Sequence, residues 1–63
     1  MIYYEATGDG YYWLAELNRK GGDRLCWSLV PHDHRQRTRR IPQGTVPRRV
    51  FRAAWYHLIE QGV

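Results

Sequence analysis

Apolar and polar residues alternate with a period of two over the first half of this chain, and with a helical period over positions 46–62. Residues 2–7 (IYYEAT) and 11–18 (YYWLAELN) are aromatic and alternating, and the GDG between them supplies glycines able to adopt positive φ, so the pair reads as a hairpin. A second turn, NRKGGD, leads to LCWSLV at 25–30, and Pro31 closes that strand. The simplest arrangement is an antiparallel meander of three strands.

The same alternation divides the sheet into two faces. Tyr11, Trp13, Ala15 and Leu17 on the second strand, with Leu25, Trp27 and Leu29 on the third, are expected in the core. The opposite face, with Tyr3, Tyr12, Leu14 and Val30, is only half polar. Aromatics on an uncovered sheet face make Tyr3, Tyr12 and Leu14 candidate contacts for a ligand.

The end of the chain, VPRRVFRAAWYHLIEQG, predicts a helix over 46–61. Thr45 suits the N-cap, Pro47 lies in the first turn where its missing N–H costs nothing, and Gly62 fits a left-handed position after the last turn. At 100° per residue, Pro47, Val50, Phe51, Ala54, Trp55 and Leu58 form one apolar sector that packs on the sheet, while Arg49, Arg52, Tyr56 and Glu60 lie opposite. Between the third strand and the helix, PHDHRQRTRRIPQGT has one aliphatic residue, Ile41. Either TRRIP forms a short fourth strand or the segment stays a basic loop. The expected class is therefore α+β: a β-β-β-α domain spanning 1–63, with a basic loop at 32–45 between the sheet and the C-terminal helix.

Sixty-three residues leave no room for a second domain, and a chain this short buries only about 60% of its unfolded surface. A hydrophobic fraction of 43%, with 14% aromatic residues, is ample for a folded core and argues against disorder. Cys26 is the sole cysteine, so no internal disulfide forms and a reducing compartment is expected. The N-terminus lacks a basic segment followed by an apolar run, and no stretch approaches the roughly 18 apolar residues of a membrane span. A soluble cytoplasmic protein with no membrane partner is the expectation. Self-association into a homodimer is one way for so small a domain to cover apolar sheet surface.

Positive charge is concentrated in one stretch of the chain. The net charge is +4, and seven of the ten Lys and Arg residues (Arg35, Arg37, Arg39, Arg40, Arg48, Arg49 and Arg52) fall in an interval without a single acid. All seven are arginine, whose planar fork of donors suits phosphates and base edges, although GC-rich coding alone also favours it over lysine. Arg48 and Arg49 sit in the first turn of the helix and Glu60 near its end, each against the macrodipole by roughly 0.3–1 kcal/mol when exposed. Arginines at a helix N-terminus instead strengthen an anion site. Arg35, Arg37, Arg39, Arg40, Arg48, Arg49, Arg52 and Tyr56 are thus expected to form one basic surface, with Tyr56 available for stacking on bases.

Signals for catalysis are weak. His32 and His34 flank Asp33, and His57 lies on the helix, but no cysteine pair or H-E-x-x-H spacing accompanies them, so no metal or other cofactor is expected. Ser28 and Cys26 lie in a strand with no evident base, and no phosphate-cradling glycine motif is present. With GYYWLAEL, the RKGGD turn and a C-terminal helix, the outline resembles the arm-binding domains of phage-type integrases and the three-stranded DNA-binding domains of plant transcription factors. That resemblance implies a sheet lying in the DNA major groove. The segment RRIPQGTVPRRVFRAAWYHLIEQG is similar in outline to the tail of HicA-type RNA-cleaving toxins, whose N-terminal helix and catalytic histidine are absent here.

A nonenzymatic nucleic-acid-binding module is therefore the leading expectation, with the arginines contacting phosphate. The alternative is a small phage-type inhibitor or adaptor, anti-CRISPR-like or host-takeover in kind, that binds an acidic protein surface. An RNA-cleaving enzyme using His34 ranks third.

Overall fold

The computed structural model describes residues 1–62. Four strands, β1 (Ile2–Ala6), β2 (Tyr11–Asn18), β3 (Arg24–Pro31) and β4 (Arg39–Ile41), form one antiparallel sheet in chain order. A 3-10 turn (Gln43–Thr45) leads to helix α1 (Arg48–Trp55), which continues into a π-helical turn (Tyr56–Glu60). This is the α+β architecture that the alternation implies, and the TRRIP segment does supply a short fourth strand.

Every strand pairing joins odd residues to odd and even to even. One row across the sheet is Tyr3–Ala15–Trp27–Ile41, and the next is Glu5–Trp13–Leu29–Arg39. All odd positions thus face the helix. Ala15, Leu25 and Trp27 from the sheet close on Val46, Val50, Ala54 and Leu58 to make the buried core, with Phe51 and Trp55 packed around it. Trp27 is only 2% exposed and holds the centre, its ring 6.2 Å from that of Phe51. Burying side chains of this size is worth about 1.5–3 kcal/mol each, and it fixes the register, because a slip by one residue would turn this face to solvent.

Parity corrects one expectation. Tyr3 is not on the uncovered face: its partner is Ala15, and it packs against the core with its ring stacked on His57 at 5.2 Å. The aromatic that β1 gives to the open face is Tyr4, opposite Leu14 and 60% exposed. Tyr12, Leu14 and Val30 do share that face.

The helix ends also differ from the sequence reading. Thr45 does not cap the helix. Its hydroxyl and its N–H both donate to the Pro42 carbonyl, at 2.7 and 3.0 Å, so the side chain belongs to the 3-10 turn. Pro47 takes the cap position with extended backbone (ψ 139°), and its carbonyl accepts from Phe51 N–H at 3.0 Å. Pro47 is exposed rather than packed on the sheet. At the other end Gly62 is not left-handed; the glycines with positive φ are in the two hairpin turns, such as Gly8 and Gly10 in GDG. Gly62 instead passes so close to the preceding turn that a Cβ would stand 2.5 Å from the Leu58 carbonyl oxygen. No helix among the described residues is long and apolar enough to cross a membrane.

Candidate nucleic-acid interface

The register decides which arginines meet. β1 ends, β3 ends and β4 begins at one end of the sheet, so the 32–38 loop and Arg39 lie there. The helix starts at that same end. An Arg49 guanidinium nitrogen lies 2.8 Å from Glu5 Oε2, and Glu5 shares its row with Arg39. His57 stacks on Tyr3 one row further along, so the helix runs away from this end, antiparallel to β1.

The loop is folded back rather than extended. His32 N–H donates to the Gly10 carbonyl at 2.9 Å, and Tyr11 hydroxyl donates to Gln36 Oε1 at 3.1 Å. Asp33 accepts from the Arg35 backbone N–H at 3.0 Å and from its guanidinium at 3.1 and 3.2 Å. Arg35 thereby holds the Asp33 carboxyl below the usual range. Its side chain stays 90% exposed, so the pair orders the loop while most of the guanidinium faces water.

Glu5 is likewise occupied. Arg49 and, second, the Tyr3 hydroxyl at 2.9 Å both donate to it and hold its pKa down. Burial, followed by the hydrogen bond to Glu5, raises the pKa of Tyr3. Two of the acids nearest the basic cluster are therefore neutralised within the fold. Among the described residues, Arg37, Arg39, Arg48 and Arg52 have no ion pair and are exposed.

The outward side of α1 is an open groove in which Arg48, Arg49 and Arg52 alternate with Phe51, Trp55 and Tyr56, and Glu60 closes its C-terminal end. Phe51 and Trp55 are 5.8 Å apart, half-buried against the core, and Tyr56 is 52% exposed. Among the described residues no acid lies in the first turn of the helix and no side chain caps it. Cations beside aromatic faces on one side of a helix suit a phosphate with an adjoining base.

Not every predicted residue joins this surface. Arg40 pairs with Ser28 and so lies on the opposite face of the sheet, in a depression with Glu16 and Cys26. Formation of β4 separates it from Arg39, because neighbours in a strand point to opposite sides. Tyr12 and Leu14 lie on that open face too, with Tyr4 and Val30; Tyr12 packs edge-on to Tyr4 at 5.5 Å and against His32 at 4.2 Å. His32 and His57 fall on different sides of the sheet, and among the described residues no group of His, Cys, Asp and Glu is arranged to hold a metal ion. Sequence reasoning did not single out Glu5, Tyr4, Phe51 or Trp55 as part of either surface. Counting parity through the GDG turn assigns Tyr4 to the open face, whereas the Glu5–Arg49 contact has no local signal.

Neither a protein-family model nor a curated protein nor a solved structure matches this chain.

Proposed function

We propose that this chain is a nonenzymatic nucleic-acid-binding module that engages phosphates with the end of the molecule where the loop and helix start converge. The observation that carries this reading is the Arg49–Glu5 contact in the row that also holds Arg39, which brings Arg35, Arg37, Arg39, Arg48 and Arg52 to one end. Arg37, Arg39, Arg48 and Arg52 contact phosphate, Arg35 contributes from its pair with Asp33, and Tyr56 offers a face for stacking. Arg49 is chiefly an anchor, and Arg40 stands apart on the other face. The setting is cytoplasmic, where the lone Cys26 stays a thiol.

Fluorescence-anisotropy titration of double-stranded DNA, single-stranded DNA and RNA tests this reading. Submicromolar binding to at least one form, weakened about tenfold in Arg48→Ala/Arg52→Ala, supports it. Weak binding to all three, unaffected by the substitutions, rejects it. One observation favours a second reading, a small inhibitor or adaptor of a protein: the open sheet face carries a wholly apolar depression lined by Tyr4, Tyr12, Leu14 and Val30. Under that reading Tyr12→Ala abolishes a stoichiometric protein complex, and the arginine substitutions only slow its formation.

A further inference from the structure

The two edges of the sheet are built differently. β4 is three residues long, carries Arg39 and Arg40 and runs into Pro42, features with which sheets block pairing to another chain. β1 has five residues, no proline or lysine, and a single charge, Glu5, which Arg49 already neutralises. Met1, Ile2 and Tyr4 are exposed large hydrophobics on this edge. Tyr56, also exposed, neighbours the His57 ring that stacks on Tyr3.

The hydrogen-bond phase of β1 says which backbone groups remain available. Thr7 N–H donates to Tyr11 O at 2.8 Å and Leu17 N–H donates to Met1 O at 3.4 Å. Bonded and unbonded pairs alternate in an antiparallel ladder, so the odd residues of β1 spend their backbone groups on β2. Those of Ile2, Tyr4 and Ala6 point outward from the sheet, where no strand among the described residues lies beside them.

We infer that β1 pairs antiparallel with β1 of a second copy of this chain, about a twofold axis at Tyr4. In that register Tyr4 faces Tyr4 of the second copy and Ile2 faces its Ala6, so every outward N–H and C=O of the strand has a partner. Odd residues again meet odd, and both helices stand on one side of a continuous sheet. Because Arg49 reaches Glu5 and His57 stacks on Tyr3, Ala53, midway between them, lies alongside Tyr4 and hence near the axis. An alanine there leaves room for a second helix to approach.

The two helices then run antiparallel. At 100° per residue Arg49, Ala53 and Glu60 share one flank, so Arg49 of one copy lies towards Glu60 of the other. This accounts for a charge order that opposes the dipole of each helix alone: across an antiparallel pair, each charge faces its opposite. Arg37 and Arg39 stay outside the interface; it rests on the strand edge and not on the nucleic-acid reading, although Arg49, Ala53 and Glu60 line the same groove as Arg52 and Tyr56.

Sedimentation equilibrium of the full chain, without nucleic acid, tests the pairing. A dimer of the 7.6 kDa chain is expected by about 100 μM. Tyr4→Lys and Tyr4→Pro, the latter removing an outward N–H but no N–H that bonds β2, each weaken it at least about tenfold with unchanged far-UV circular dichroism. Glu60→Arg, an exposed position away from the core, weakens it severalfold by setting like charges together. A monomer at every concentration to about 100 μM overturns the inference. So does a dimer unchanged by the folded Tyr4 variants, or by Glu60→Arg where those variants unfold.

Discussion

One end of this molecule is strongly basic and the other is close to neutral, on the same scaffold. At the end where the 32–38 loop meets the helix start lie six arginines, Arg35, Arg37, Arg39, Arg48, Arg49 and Arg52, against three acids, Glu5, Asp9 and Asp33. At the other end, around the β2–β3 turn and the helix terminus, Arg19, Lys20 and Arg24 are matched by Glu16, Asp23 and Glu60. The net charge of +4 therefore belongs almost entirely to one end, with Arg40 the remainder. Overall basicity says only that an acidic partner is favoured; its concentration at one end says where that partner binds.

Removing charge from each end in turn gives the largest expected contrast. Arg37→Ala/Arg39→Ala/Arg48→Ala/Arg52→Ala lowers nucleic-acid affinity by about 100-fold, whereas Arg19→Ala/Lys20→Ala/Arg24→Ala changes it by less than about threefold. Anisotropy titrations at one fixed salt concentration compare the two sets.

Gly62→Ala separates structure from binding at the far end. The added methyl meets the Leu58 backbone, which has no flexible tip to swing aside, so denaturant unfolding should show a loss of about 1–3 kcal/mol. Affinity measured where the variant is folded stays unchanged.

A smaller effect comes from Arg48→Ala alone. It lowers affinity severalfold and flattens the plot of log affinity against log salt by about one unit, without shifting the urea midpoint. The smallest comes from Glu5→Gln, which frees Arg49 at the basic end: binding strengthens slightly while stability falls slightly, since an ion pair this exposed contributes little. The same pair sets a pH dependence. The folded pKa of Glu5 is depressed, so its stabilisation is complete above the unfolded value of about 4.3 and disappears as pH falls through the lowered folded value. Glu5→Gln removes that acid-limb component from melting curves recorded across this range.

Much of the fold is legible in the sequence because burial enforces it. The alternation in β2 and β3 can be satisfied in one register only, and the Val50, Ala54, Leu58 spacing leaves the helix one face to bury. Tyr3 was misassigned because its face depends on how many residues the GDG turn inserts, which a single strand does not reveal. Thr45 and Gly62 carry the usual cap residue types, but a neighbouring Pro42 carbonyl and a close approach to Leu58 give them other work. Within the candidate site, the clustering of arginine was readable from composition. The separation of Arg40 from Arg39 was not, since it follows from whether three residues pair as β4 or stay a loop. The Glu5–Arg49 anchor joins residues far apart in sequence and rests on tertiary geometry alone.

Phosphate binding at the basic end stands or falls on the salt dependence of nucleic-acid binding by wild type and by Arg37→Ala/Arg39→Ala/Arg48→Ala/Arg52→Ala. If four phosphate contacts come from the basic end, the slope of log affinity against log salt for duplex DNA falls in magnitude by about 0.9 for each arginine removed, or about 0.7 for a single strand. Equal slopes for the two proteins, or wild-type binding indifferent to salt, would contradict it.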